Sequence, residues 1–291
     1  MKTFSIGGVH PHDSKISANA AIESFPIPEV AYISMGQHLG APAEPIVAPG
    51  DKVKVGQLIA NANGFISAPV HSSVSGTVKG IEIIKDLAGN PCKAVVIEVE
   101  GDEWVETIDR SEEIAREIKL DSKEIIEKIK ECGVVGLGGA TFPTNVKLSP
   151  PPGKKAEFLI INGAECEPYL TSDYRVLLEM PEQVLIGAAI MMKALNVTQG
   201  FVGIEENKPE AIRIMTEKAK AYPQIKIVSL KKKYPQGGEK QLIDAVVGRK
   251  VPSMGLPIDT GAVVQNVGTA LAVYEAVQKN KPLFEGILTV T

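Results

Sequence analysis

Residues 136–147 read GLGGATFPTNVK, and residues 162–168 read NGAECEP. In the first stretch Gly136, Gly138 and Gly139 carry no side chains, so a flat ring can lie against the backbone of Gly138 and Gly139. Phe142 adds a face for stacking, and Lys147 adds a cation for a phosphate or a ring oxygen. In the second stretch Asn162 presents an amide that both donates and accepts. Glu165 and Glu167 sit two apart, so in extended chain they share a face. A third stretch, YPQGGE at 234–239, places Tyr234, Gly237, Gly238 and Glu239 at the start of a helical pattern, where backbone N–H groups and the helix dipole favour anions. QNVGT at 265–269 repeats the device with Asn266 and Thr269, and the second of these helix starts is the expected phosphate site. The chemistry such residues suit is the holding of a nucleotide.

Familiar phosphate loops do not describe the glycine run. Gly136-x-Gly138-x-x-Thr141 has threonine where a dinucleotide fingerprint has its third glycine, and Gly139 stands where a P-loop has lysine. Both patterns need a strand before the loop, and residues 121–132 have a helical pattern instead. Duller explanations exist for each residue: a tight turn for the glycines, solvent for Lys147, the core for Phe142, a solvated acidic loop for the glutamates, and ordinary capping for the two helix starts. Thr141 is a direct test of the loop, because a β-branched residue is costly wherever φ is positive.

Composition limits the remaining classes. The 291 residues are 44% hydrophobic with a net charge of −4, enough for two domains with substantial cores. The basic cluster Lys231, Lys232 and Lys233 is too short for broad nucleic-acid binding. Cys92, Cys132 and Cys166 lie far apart with no CxxC, so no disulfide framework, zinc ribbon or cluster motif is legible, and a reducing cytoplasm fits. His10-x-His12 has no acidic or cysteine partner nearby and is taken as structural, with no metal site expected. The start MKTFSIGGVHPHDSK has no apolar core of a signal peptide. The apolar run from Val184 to Met192 is far short of the about 20 residues that a membrane span needs.

The positioning elements follow from periodicity. Residues 1–30 suit an extended, wrapping segment. From about Ile46 to Val99 short β runs alternate with turns at Pro49-Gly50-Asp51 and Val55-Gly56-Gln57. Residues 101–120 are expected to form a linker with a short helix. Asp121 and Glu124 make a capping-box-like start to a helix ended by Gly133. From 156 onward the expected order is strand 156–162, helices over 171–196, strand 200–205, a helix capped by Asn207 with Pro209 in its first turn, strand 225–230, helix 238–247, strand 262–266 and a helix through Gln278. Such alternation predicts a mostly parallel sheet covered by helices, with ligands beyond the carboxyl ends of its strands. The fold class is thus α/β and multidomain.

The β region, with GDKVKVGQ and SGTV, resembles the barrel-sandwich hybrid of biotinyl and lipoyl carriers, but NANGFISAPVHSS at 61–73 lacks the lysine that carries the swinging arm. GLGGATFPTNVK, NGAECEP, YPQGGEKQL and QNVGT together resemble, in order and spacing, the flavin segments of the NADH-binding flavoprotein of respiratory complex I. The resemblance extends over nearly the whole chain to the RnfC family of the Rnf ferredoxin:NAD+ oxidoreductases, through GGVHPHDSK (7–15), QHLGAPAEPIV (37–47), PVHSSVSGTV (69–78) and NGAECEPYLTSDYR (162–175).

The resemblance implies FMN exchanging hydride with NAD(H), with no catalytic side chain. Gly136, Gly138, Gly139, Phe142, Lys147, Asn162, Glu165, Glu167, Tyr234, Gly237, Gly238, Glu239, Asn266 and Thr269 would bind the cofactors, Glu165 near the flavin and Glu167 on a ribose hydroxyl or the nicotinamide amide. Ala164 stands where the complex I pattern has aspartate. The domains implied are a barrel-sandwich hybrid over 1–105, a linker over 106–120, a Rossmann-like domain over 121–280, and the start of a β-grasp domain over 281–291. Two 4Fe–4S clusters are expected only in a longer protein, so this chain is expected to be a fragment that cannot relay electrons by the family's route. Its expected partners are the other components of the Rnf complex, with ferredoxin reached indirectly. Its expected place is peripheral, on the cytoplasmic side of the cell membrane. The alternatives are a cobalamin-reductase flavoprotein and a flavin-free scaffold of the kind found in the sodium-pumping NADH:quinone reductase.

Overall fold

The structure is a computed structural model and describes residues 1–86 and 88–291. Its first half is all β: β1 (Val30–Ser34), β2 (Glu44–Pro45), β3 (Lys52–Val53), β4 (Leu58–Asn61), β5 (Val70–His71), β6 (Gly76–Lys85) and β7 (Pro91–Val99). Two antiparallel sheets, in the orders β1-β7-β6-β3 and β2-β4-β5, enclose a core that includes Met35, Ile59, Val78, Val95 and Ile97. This is the expected barrel-sandwich architecture. Phe65, at the tip between β4 and β5, is 82% exposed.

The second half contains α1 (Ser122–Glu131), α2 (Thr144–Lys147), β8 (Phe158–Gly163), α3 (Ser172–Glu179), α4 (Pro181–Leu195), β9 (Gln199–Glu205), α5 (Pro209–Lys218), β10 (Ile225–Leu230), α6 (Glu239–Val247), β11 (Ala262–Asn266) and α7 (Val267–Gln278). The four strands are all parallel, in the order β10-β9-β8-β11. Side chains of β8 alternate between two cores. Leu159 and Ile161 pack with α1, α4 and α7, and Ile160 packs with Leu242 and Val246 of α6, as the period of two requires.

Local chemistry sets the ends of α1. The Asp121 carboxylate accepts from the N–H groups of Lys123 and Glu124, and the Glu124 carboxylate accepts from the Asp121 N–H at 2.7 Å, a complete capping box. The helix stops at Gly133, whose φ of +64° suits glycine. A Cβ there would lie 2.5 Å from the Pro69 carbonyl oxygen, so the same glycine lets the two halves touch.

Two expectations need correction. Residues 101–120 contain no helix. Their backbone is bonded outward: the Ala115 N–H donates to the Tyr274 hydroxyl at 3.3 Å, and Gln278 Nε2 donates to the carbonyls of Ala115 (2.8 Å) and Glu117 (3.0 Å). Ile114 and Ile118 meanwhile pack on the α/β core. Tertiary partners thus replace the i to i−4 bonds that a helix would have made. Likewise Asn207 does not cap α5. Lys208 is the capping residue, without a side-chain bond, Pro209 takes the first turn, and Asn207 Nδ2 donates to Asp13 at 3.0 Å.

Candidate functional site

The chain leaves β8 toward β9 and β10 on one side, and β11 returns on the other. The carboxyl ends of β8 and β11 therefore flank the point where strand order reverses, the place where open α/β sheets bind ligands. Asn162 and Asn266 are direct register partners across this point. Asn266 also begins α7, accepting on Oδ1 from the N–H groups of Gly268 (2.8 Å) and Thr269 (3.3 Å).

Four loops meet here. The glycine loop is closed at its base by a bridge between Val135 and Pro143 and by the Gly136 N–H donating to the Phe142 carbonyl at 2.9 Å. Its Leu137 N–H donates to Thr269 Oγ1 at 2.9 Å, so the loop rests on the start of α7. Lys147, ending α2, pairs with Glu239, the first residue of α6, at 2.6 Å. Asn162 Nδ2 donates to the Gly237 carbonyl at 2.9 Å, and the Gly237 N–H points to Cys166 Sγ at 3.4 Å. Leu39 of the β domain closes one flank, its N–H donating to the Thr141 carbonyl at 3.1 Å.

The two central glycines have different reasons to be glycine. A Cβ on Gly138 would lie 2.7 Å from Asn266 Nδ2, whereas a Cβ on Gly139 would meet nothing within 4 Å. Gly138 is therefore bare because Asn266 fills its place, and only Gly139 leaves open space for a ring. Thr141 sits at φ +51°, so the loop is strained there.

Residues 129–275 match the Nuo51 FMN-binding domain family, which is half of the chain. The chain belongs to this family. Residues 2–102 match the RnfC barrel sandwich hybrid domain. The RnfC-type component of a proton-translocating ferredoxin:NAD(+) oxidoreductase complex from Clostridium ljungdahlii is 51% identical over 293 residues, covering 100% of this chain. The corresponding component of the Na(+)-translocating complex from Acetobacterium woodii is 44% identical over 287 residues, covering 98%. The chain spans only 63% and 64% of these two relatives. An NAD+-reducing NiFe hydrogenase aligns with 54% of the chain and 31% of its own at 26% identity, with a TM-score of 0.47.

The residues of this FMN-binding domain fit a flavin mononucleotide. Gly139 opens to free space, and buried polar atoms beside the four loops lack partners among the described residues: Glu165 Oε2, Gln236 Nε2 and Gln265 Nε2. At the start of α7 the cap already engages two N–H groups, and Asp173 Oδ2 lies 2.7 Å from Asn266 Nδ2. A phosphate there would have to displace the cap beside a carboxylate. Gly238 starts α6 with no side-chain cap, which makes that helix start the freer of the two.

Sequence reading missed the charged layer beneath the loops. The Asp173 N–H donates to Glu165 Oε1 at 2.9 Å. Lys208, 2% exposed, donates to the Ala164 carbonyl at 3.2 Å and lies 3.6 Å from Glu205, itself 1% exposed. Burial pushes the Asp173 carboxyl up to about 7, with Glu165 adding to the effect. Burial likewise raises Glu205 to about 7 against the pull of Lys208, and it raises Glu165. Glu205 and Lys208 stand 32 or more positions from Asp173 in sequence, so no local pattern joins them. Only Asp173 had a signal, as an acid in the first turn of its helix. Of the expected residues, Glu167 and Tyr234 are exposed, and Phe142 is half-buried at the loop's end. His10 Nδ1 lies 3.1 Å from the Lys232 carbonyl oxygen.

Proposed function

We propose that the chain is the FMN- and NAD(H)-binding module of a ferredoxin:NAD+ oxidoreductase complex. The observation that carries this reading is the meeting of four loops at the β8–β11 reversal in a chain of an FMN-binding family. Hydride exchange with NAD(H), and release of electrons singly, is the chemistry that flavin supplies when bound. The chain's own residues hold and orient. Gly136, Gly138 and Gly139 form the bed, with Gly139 as its open face. Asn162 and Lys147 bond the ring or its chain, and Lys147 is already aimed by Glu239. Tyr234, Gly237, Gly238 and Glu239 hold the phosphate end, while Asn266 and Thr269 support the glycine loop from below. Glu165 fixes the ring's polar edge from a buried position, and exposed Glu167 binds a ribose hydroxyl or the nicotinamide amide of NAD(H), with Phe142 stacking beside it.

The same reading divides the chain into a β domain over 1–105, a linker over 106–120, the nucleotide domain over 121–280 and the start of another domain over 281–291. Separate cores and the matches at 2–102 and 129–275 support it. Two 4Fe–4S clusters belong to protein outside these residues. The relatives are components of ion-translocating complexes, and none of this chain's described helices is long and apolar enough to cross a membrane. Both support peripheral attachment at the cytoplasmic face, with the other components of the complex as partners and ferredoxin reached through them.

The test is titration of the purified chain with FMN, then anaerobic addition of NADH while flavin absorbance is followed. Bleaching is expected. Gly139→Ala should leave the fold intact and weaken FMN, whereas Gly138→Ala should also lower the unfolding midpoint, because its methyl collides with Asn266. A folded wild-type chain that takes up no FMN favours the flavin-free scaffold instead.

A further inference from the structure

The segment GGVHPHDSK is a sequence motif that the nucleotide site leaves without a task. It follows the carboxyl edge of the sheet. Lys2 bridges to Leu230 at the end of β10, and Val9 and Tyr234 exchange two backbone hydrogen bonds of 2.8 Å. The Ser14 N–H donates to the Pro168 carbonyl at 3.2 Å. Lys15 then donates to three backbone carbonyls, those of Glu165 (2.9 Å), Glu167 (2.7 Å) and Leu170 (2.5 Å). That matches the three donors of an ammonium group.

All three carbonyls belong to one loop between β8 and α3, the loop that carries both candidate carboxylates. No helix or strand supports residues 164–171, and Glu165 sits at φ +38°. A non-glycine residue keeps such a backbone only where its surroundings over-determine it. A lysine serving as counter-ion alone would sit on carboxylate oxygens. Lys15 sits on the chain path itself, and burial together with Lys208 lowers its pKa, as expected for an ammonium held by dipoles away from water.

We propose that Lys15 is a positioning residue of the nucleotide site: by gathering the carbonyls of Glu165, Glu167 and Leu170 on one ammonium, it fixes how the loop presents its two carboxylates. Its effect on binding rests on the flavin reading; its effect on the loop rests on the hydrogen bonds alone. The N-terminal segment is then a strap, and Lys15 is its fastening.

The test compares Lys15→Met, Lys15→Gln and Lys15→Arg in the whole chain. Amide hydrogen exchange without FMN reads the loop, exchange in β6 and β7 reads the fold elsewhere, and FMN titration reads the site. Residues 163–171 should exchange about tenfold faster in Lys15→Met, FMN should bind about tenfold more weakly, and β6 and β7 should be unchanged. Lys15→Arg should recover most of both losses, which loss of packing volume alone would not explain. Unchanged loop exchange in Lys15→Met overturns the proposal, and so does a loosened loop with unchanged FMN affinity. If Lys15→Met fails to fold, Lys15→Gln decides by the same criteria. A wild-type chain that takes up no FMN, with its loop still freed in Lys15→Met, overturns the flavin reading and supports the hold of Lys15 on the loop.

Discussion

At the residue scale Thr141 is the most telling position. Its φ of +51° belongs to the region that favours glycine, and its side chain is β-branched. Its hydroxyl donates only to the neighbouring Ala140 carbonyl, at 2.7 Å. Thr141→Gly should therefore stabilise the chain by about 1 kcal/mol, read from urea unfolding. A loss of stability would show that the hydroxyl, or the flank built by Leu39, matters more than the strain. The sequence marked the position correctly as the one whose backbone angle would decide. Gly138 was legible as special but for the wrong reason, since its constraint is Asn266, far along the chain.

At the element scale α3 and α7 begin side by side and share a proton-sensitive contact. Asp173 in the first turn of α3 accepts from Asn266, the cap of α7, and its carboxyl is raised to about 7 chiefly by burial. The folded chain then binds more protons than the unfolded chain between about pH 4 and pH 7. The stability this group contributes is present below its unfolded pKa and is lost as pH rises through 7. Urea midpoints of the wild type should fall between pH 5 and pH 8, and Asp173→Asn should flatten that fall. The slope that remains belongs to Glu205, raised in the same sense. An identical slope in both proteins would count against a protonated Asp173. The helices themselves were plain from their periodicity and caps; their shared start was not, because nothing in either local pattern refers to the other.

At the scale of the whole molecule, the β and α/β halves meet at Gly133, His71 and the Leu39–Thr141 contact. Burial, with Lys128 nearby, holds His71 down to about 4. The unfolded chain then binds the extra proton between about pH 6.5 and pH 4, so this contribution to stability is lost as pH falls through that window. His71→Leu should show a smaller loss of urea midpoint from pH 6.5 to pH 4.5 than the wild type. An equal loss would place the acid sensitivity elsewhere. Asp173 and His71 thus shape opposite sides of one stability profile.

The sequence by itself determined the local order: strands by alternation, helices by period and caps, turns by glycine and proline, and the four loops by residue types that suit a nucleotide. Those signals arise from interactions within a few residues, so they survive without the fold. The tertiary structure decided what lies between distant positions. It laid residues 101–120 out extended by giving their backbone to Tyr274 and Gln278. It filled the space beside Gly138 with Asn266, left Gly139 open, and placed the Lys15 ammonium on a loop 150 residues away. Buried charges take their meaning from such neighbours, because desolvation and pairing act through space rather than along the chain.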